Sequence, residues 1–160
     1  MSIAAVRSYF AQFGMENQVL EFDVSSATVE LAAQAVGVIP ARIAKSLSFK
    51  VDGKAILIIT AGDAKVDNVK FKSFFHTKAK MLTPDEVVEL VGHAIGGVCP
   101  FGIKEGVDVY LDVSLRRFDT VFPAAGSGNS AIQLTCDQLE QYACGFRGWG
   151  DFCKGWQKTP

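Results

Sequence analysis

The chain has 160 residues, of which 49% are apolar and 21% charged, a balance that excludes disordered and collagen-like chains and suits one domain burying its own core without disulfide staples. Sixteen basic against 17 acidic side chains leave a formal charge of -1, which argues against a protein that coats DNA or RNA and leaves room only for a local basic patch. The longest strongly apolar run, Ala55 to Ile59, falls far short of the ~20 residues of a membrane span. The first residues lack a secretory pattern, and Cys99, Cys136, Cys144 and Cys153 form no C-x-x-C pair, so a cytoplasmic protein with reduced thiols and no bound metal is expected.

Ile3, Val6, Phe10 and Phe13 recur at helical spacing, predicting an amphipathic helix over residues 2–13 that stops at Gly14. A short strand over 19–24 follows, then a helix capped by Thr28 and ended by Gly37, with Pro40 opening a further turn. From Ile43 to Val51 the pattern changes to strand alternation, which puts Lys45 among Ile43, Leu47, Phe49 and Val51 on the apolar face. Asp52-Gly53 is a tight-turn signal, and the run Ala55 to Ile59 beyond it is apolar at every position, as in a central strand covered on both faces.

Asp67 can start a short helix carrying Val69, Phe71, Phe74 and Phe75, and a short strand is predicted over 80–82. Thr83-Pro-Asp-Glu86 and Thr135-Cys-Asp-Gln138 are capping boxes that open two more helices. Residues 93–102 read as a turn-rich loop, 107–113, 120–122 and 130–134 as strands, and 146–160 as a Gly- and aromatic-rich tail without periodicity. Hairpins and helices interspersed without regular βαβ alternation predict a single α+β domain with a mixed sheet.

Lys45 is the most informative residue, since a lysine on the buried face of a strand must pair, reach solvent or serve a ligand. Gly96-Gly97-Val98-Cys99-Pro100-Phe101-Gly102 can bring backbone N–H groups around a ligand oxygen, or simply turn the chain. Gly126 and Ser127 belong to a second small-residue turn. Cys99 could act as a nucleophile only with His76 or His93 as its base. Neither G-x-G-x-x-G nor G-x-x-x-x-G-K-[ST] nor G-x-S-x-G occurs, so no nucleotide cofactor and no α/β-type serine hydrolase is indicated. The lysines at 65, 70, 72, 78 and 80, with Phe71, Phe74 and Phe75 among them, and Arg116, Arg117 and Arg147 could contact an RNA end or be solvated surface.

Four segments in order carry a resemblance: Thr28-Val-Glu-Leu-Ala-Ala with Gly37; Ile43-Ala-Lys-Ser-Leu47; Ala61-Gly-Asp63 with Val66-Asp67; and Gly96-Gly-Val-Cys-Pro-Phe-Gly102. Together they resemble the YbaK/EbsC family of aminoacyl-tRNA deacylases, related to the editing domain of bacterial prolyl-tRNA synthetases. The resemblance covers about residues 1–145 and leaves 146–160 as an extension packed on or flanking the domain. It implies a mainly antiparallel, barrel-like sheet surrounded by helices, and hydrolysis of mischarged tRNA(Pro) carrying Cys or Ala.

The family's lysine falls on Lys45, implied to contact the acceptor end of the tRNA. Its G-x-x-x-P loop falls on Gly96, Gly97, Val98, Cys99 and Pro100, implied to hold the ester carbonyl. Ser46, Gly62, Asp63, Phe101, Gly102, Gly126 and Ser127 are implied to line the substrate site. Substrate hydroxyls or a substrate thiol, with water, would complete the reaction, and a prolyl-tRNA synthetase is the implied protein partner. Position 99 is often a small hydroxyl residue in that family, so Cys99 bears on which amino acid is removed. The rival readings are a non-catalytic tRNA- or protein-binding module on the same fold, and a thiol enzyme acting through Cys99.

Overall fold

A computed structural model describes residues 2–157. The chain opens with α1 (Ser2–Ala11), β1 (Val19–Glu21) and α2 (Val29–Val36). The Thr28 hydroxyl caps α2 by accepting from the Leu31 N–H, and Gly37 ends it at φ 77°, a left-handed conformation that a side chain would strain. Pro40–Arg42 form a single 3-10 turn that leads into β2 (Ile43–Val51).

β2 and β3 (Lys54–Ala61) form the expected hairpin around Asp52 and Gly53, both at positive φ. There follow β4 (Lys65–Val66), α3 (Asn68–Phe75) capped by Asp67, and α4 (Pro84–Leu90) with the predicted capping box. The second half contains β5 (Asp108–Asp112), β6 (Thr120–Pro123), β7 (Ser130–Ile132), β8 (Leu134–Thr135) and α5 (Cys136–Tyr142), the last opened by the Thr135 box. The chain then adds β9 (Phe146–Gly150) and β10 (Cys153–Lys154).

Six strands form one sheet in the order β8-β6-β2-β3-β5-β9, and the sheet curls into a half-barrel in a mixed α+β domain. Its centre is β3, whose apolar residues are buried on both faces, as their unbroken hydrophobicity requires. On one face Phe49 packs on Phe71 of α3 with ring centroids 4.9 Å apart. Phe74 and Phe75 extend that layer over Tyr110 and Phe152. The opposite face carries the register-paired Leu57 with Val109 and Ile59 with Leu111, all fully buried.

Three expectations change. The run 130–134 is two strands, because β7 pairs with β1 while β8 pairs with β6, and the chain switches partners at Gln133. Residues 80–82 make only a bridge from Met81 to Phe49. The aperiodic tail holds β9, which pairs in parallel with β5 as the sixth strand, and β10, which pairs with β4. Between them the Phe152 N–H donates at 2.8 Å to the fully buried carboxylate of Asp112.

Candidate functional site

β2 has nine residues, but its parallel neighbour β6 pairs only with the first two, Ile43 and Ala44. Pro123 has no N–H, so the bonds of this ladder run through the main chain of Ala44. Further along, Lys50 N–H donates to Lys80 O at 2.8 Å and Leu82 N–H donates to Ser48 O at 3.2 Å. Main-chain groups of Ala44, Ser48 and Lys50 therefore point to the same side of β2, and by strand alternation so do those of Ser46. Among the described residues no main-chain hydrogen bond reaches Ser46 on that side.

A cleft of ≈ 270 Å³ opens along this gap. Its walls include Lys45, Ser46 and Ser48 from β2, Ser26 and Thr28 before α2, and Gly96 and Val98 from the loop. Ala124 and Ser130 close the far side. Lys45 is the one charged residue among the described residues of the lining. Neighbouring residues of a strand face opposite ways, so Lys45 and Ser46 present their side chains on opposite sides of the open edge.

The half-buried Lys45 Nζ donates to the carbonyl of Gly62 at 3.3 Å. Burial pushes the Lys45 pKa below the ordinary lysine value, with the charges of Asp63 and Glu30 acting in the opposite direction. Gly62 is packed so closely that a Cβ there would sit 2.1 Å from the Pro40 carbonyl oxygen. Gly96 is held at φ 97°, and a Cβ on Gly97 would lie 2.5 Å from Ser127 N and 2.6 Å from Gly126 C. The loop is thus wedged by its glycines against the 126–128 turn, backbone on backbone.

Of the site residues read from the sequence, Lys45, Ser46, Gly96 and Val98 line the cleft together. Gly97, Gly126 and Ser127 support the loop from behind, where the Ser127 hydroxyl bonds to Ser130 at 2.7 Å and to Asn129 at 2.8 Å. Cys99, Pro100 and Phe101 do not line it. Cys99 and Phe101 are fully buried, and Phe101 packs 4.9 Å from Phe10, because the loop turns its apolar side chains into the core. Gly102 sits against α1, where a Cβ would come within 3.2 Å of Ala5 O. Asp63 is held by the two terminal nitrogens of Arg117, at 2.6 and 3.1 Å, and lies outside the lining.

The cysteine–histidine alternative fails on its own geometry. Cys99 Sγ lies 3.6 Å from His93 Nε2, but that nitrogen is 2.7 Å from the Phe101 carbonyl. A carbonyl only accepts, so Nε2 carries the proton and has no lone pair for the thiol. Burial also pushes the Cys99 pKa up to about 12.

The basic stretch contributes no cleft residue. Lys70 pairs with Asp151 at 2.9 Å, and Lys72 and Lys78 border a depression beside Val69 on α3. Arg147 bonds Asp108 at 2.9 Å, and Arg116 lies 3.9 Å over the Trp149 ring. Sequence reading missed Ser26, Thr28 and Ser48 as lining residues; the small-residue run 25–28 was the visible signal for the first two, and Ser48 lies two residues along β2 from Ser46. Among the described residues there is no cluster of three metal-ligating side chains, and no helix is long and apolar enough to cross a membrane.

The profile of the aminoacyl-tRNA editing domain matches residues 23–142. YwhH of Bacillus subtilis (strain 168), itself an uncharacterized protein, is 56% identical over 158 residues, covering 98% of this chain and 100% of its own length. Proline--tRNA ligase of Geobacillus sp. (strain WCH70) is 31% identical over 90 residues, which span 56% of this chain and only 16% of the ligase. A crystal structure bearing the name of a candidate trans-editing enzyme for prolyl tRNA synthetase superposes with a TM-score of 0.85 at 31% identity, covering 96% of this chain and 97% of that one.

Proposed function

The chain belongs to the aminoacyl-tRNA editing domain family, and from that premise we propose that it is a trans-acting deacylase that hydrolyses the ester of mischarged tRNA(Pro) carrying Cys or Ala. The observation that carries this reading is a small, mostly apolar cleft whose one charged lining residue, among the described residues, is Lys45, with Gly96 and Val98 of the glycine loop in the same lining. The reading gives the Lys45 ammonium the phosphate or ribose of the tRNA acceptor end, an interaction that offsets the cost of its burial. It gives the loop backbone the ester carbonyl, where N–H donors stabilise the oxyanion that forms as water attacks.

No carboxylate, imidazole or thiol lines the cleft among the described residues, so a general base is not at hand in the protein. A substrate hydroxyl or thiol positioned beside the ester meets that need, leaving the protein to orient the reactants and hold developing charge. A cleft of this size also suits editing, in which a second site admits small side chains and excludes larger ones. Prolyl-tRNA synthetase is the protein partner this reading supplies, and the cytoplasm its compartment.

Deacylation of tRNA(Pro) and tRNA(Ala) charged with Cys, Ala, Ser or Pro, by the wild-type chain beside Lys45→Ala, tests the reading. Loss of a mischarged ester that depends on Lys45 and spares Pro-tRNA(Pro) is the expected result. Unchanged esters throughout, with RNA binding intact, would leave a binding module.

A further inference from the structure

Between its pairing with β6 and its bonds to residues 80 and 82, the edge of β2 is open at Ser46. Ser46 is the residue on that edge whose main chain is flanked on one side by the β6 ladder, ending at Ala44, and on the other by the bonds of Ser48 and Lys50. By strand alternation its N–H and C=O face the cleft side, where they have no main-chain partner among the described residues. Such groups are almost always paired when they are shielded from water, which makes an unpaired set beside a cleft a place for a ligand to complete.

A second observation points the same way. The hydroxyls of Ser26 and Ser46 are both buried and have no hydrogen-bond partner among the described residues, and both residues line this cleft. Ser26 is only 6% exposed. Leaving such hydroxyls unmet costs free energy that a polar ligand would recover.

A residue in an antiparallel ladder that exchanges two bonds with its neighbour gives its N–H to the neighbour's carbonyl and accepts from the neighbour's N–H. An α-aminoacyl ester carries the matching pair, an ammonium and a carbonyl separated by one carbon. We infer that the aminoacyl group docks as a one-residue extension of the sheet at Ser46. Its α-ammonium donates to the Ser46 carbonyl, and its ester carbonyl accepts from the Ser46 N–H with one lone pair, leaving the other to the N–H groups of the glycine loop.

The Ser26 and Ser46 hydroxyls complete the polar surroundings of the bound group. The Lys45 ammonium, on the other side of the strand, gives one N–H to the Gly62 carbonyl and keeps two for the RNA. This inference rests on the deacylase reading for the identity of its ligand, and it makes the free α-amino group a requirement for recognition whatever the amino acid. It is the same strand-addition chemistry by which sheet edges take up peptides, shortened to one residue.

The test compares tRNA(Pro) esterified with alanine or cysteine against the same tRNA carrying propionyl or 3-mercaptopropionyl groups, which differ only by the missing amine. The ammonium also activates the ester toward any nucleophile, so each kcat/KM is divided by that ester's own rate with hydroxide, and the ratio should fall by roughly 10- to 100-fold when the charged hydrogen-bonding partner is removed. Equal ratios for the aminated and deaminated esters would overturn the edge site while leaving the deacylase reading intact.

If no ester is cleaved, the deacylase reading fails, and binding then decides the inference separately. The stable amide 3'-alanylamino-3'-deoxyadenosine should bind at least roughly 10-fold more tightly than its propionyl counterpart and shift the Ser46 amide resonance. Equal binding, or an unmoved Ser46 amide, would overturn the proposal.

Discussion

Arg117 grips Asp63 with two guanidinium nitrogens, Nη2 at 2.6 Å from Oδ1 and Nη1 at 3.1 Å from Oδ2. The pair ties the turn after β3 to the segment before β6, one residue beyond the Gly62 carbonyl that anchors Lys45. Arg117 is itself covered by Trp156, whose ring centroid lies 5.0 Å from the guanidinium carbon. Asp63 therefore acts on the cleft through the backbone, by holding the anchor of Lys45 in place.

Asp63→Asn should keep the fold but loosen this anchor. Replacing a bidentate ionic pair with a single neutral contact costs about 1–2 kcal/mol at most, since both side chains are partly exposed. The expected outcome is a melting temperature lower by a few degrees with a larger relative loss in kcat than in KM. A thermal melt beside steady-state deacylation reads both, and an unchanged kcat would show that the anchor does not matter.

Deacylation should fall in alkaline solution earlier than an ordinary lysine would allow. The native Lys45 pKa lies below that of the unfolded chain, so between the two values the unfolded chain holds the proton and the native one does not. Stability from this residue consequently rises as pH climbs through that window, while any step needing the ammonium declines as pH passes the lowered native value. Lys45→Arg, which keeps its charge, should lose that alkaline limb whatever its absolute rate. A pH–rate profile of the two proteins checks the difference.

Cys99 should be silent toward thiol chemistry. Its thiol is fully buried with a pKa pushed up to about 12, and the adjacent His93 nitrogen is already donating to Phe101. Treatment of the native protein with iodoacetamide near pH 8 should leave Cys99 unmodified, as mass spectrometry of its peptide would show. Cys99→Ser should retain deacylation and change stability by no more than about 1 kcal/mol, because the hydroxyl meets the Phe101 carbonyl that the thiol already approaches at 3.7 Å.

Gly97→Ala is expected to damage the site more than the fold. The new methyl would meet the backbone of Gly126 and Ser127, neither of which can swing aside as a side chain would. The loop must then shift away from the turn that supports it, and misplacing one oxyanion donor costs on the order of 100-fold in kcat. Gly106→Ala provides the contrast, since that position has open space around it and only a positive φ to resist the change. Equal loss of deacylation in both variants would separate the loop from catalysis.

Helix starts were legible because capping is local: Thr28, Thr83 and Thr135 each meet a donor three residues on, and the sequence alone displays that spacing. The β2–β3 hairpin was legible for the same reason, its turn residues being adjacent. What escaped was pairing between distant segments. Phe146–Gly150 has two glycines in five residues and no alternation, and becomes a strand only because β5 offers it an edge. Lys45 and Gly96 stood out as residue types in unusual company, and both line the cleft. The direction of Cys99 and Phe101 could not be read, since a loop without periodicity does not tell which side chains turn inward.

The placement of β9 and β10 has a consequence for how the protein is made. During synthesis the chain emerges as far as α5 with β5 still lacking its outer neighbour, and with the buried Asp112 carboxylate missing the Phe152 amide that satisfies it. The sheet closes only once residues 146–154 have left the ribosome. Until then a nascent chain carries a bare parallel edge, and ribosomes crowded on one message bring several such edges within reach of one another.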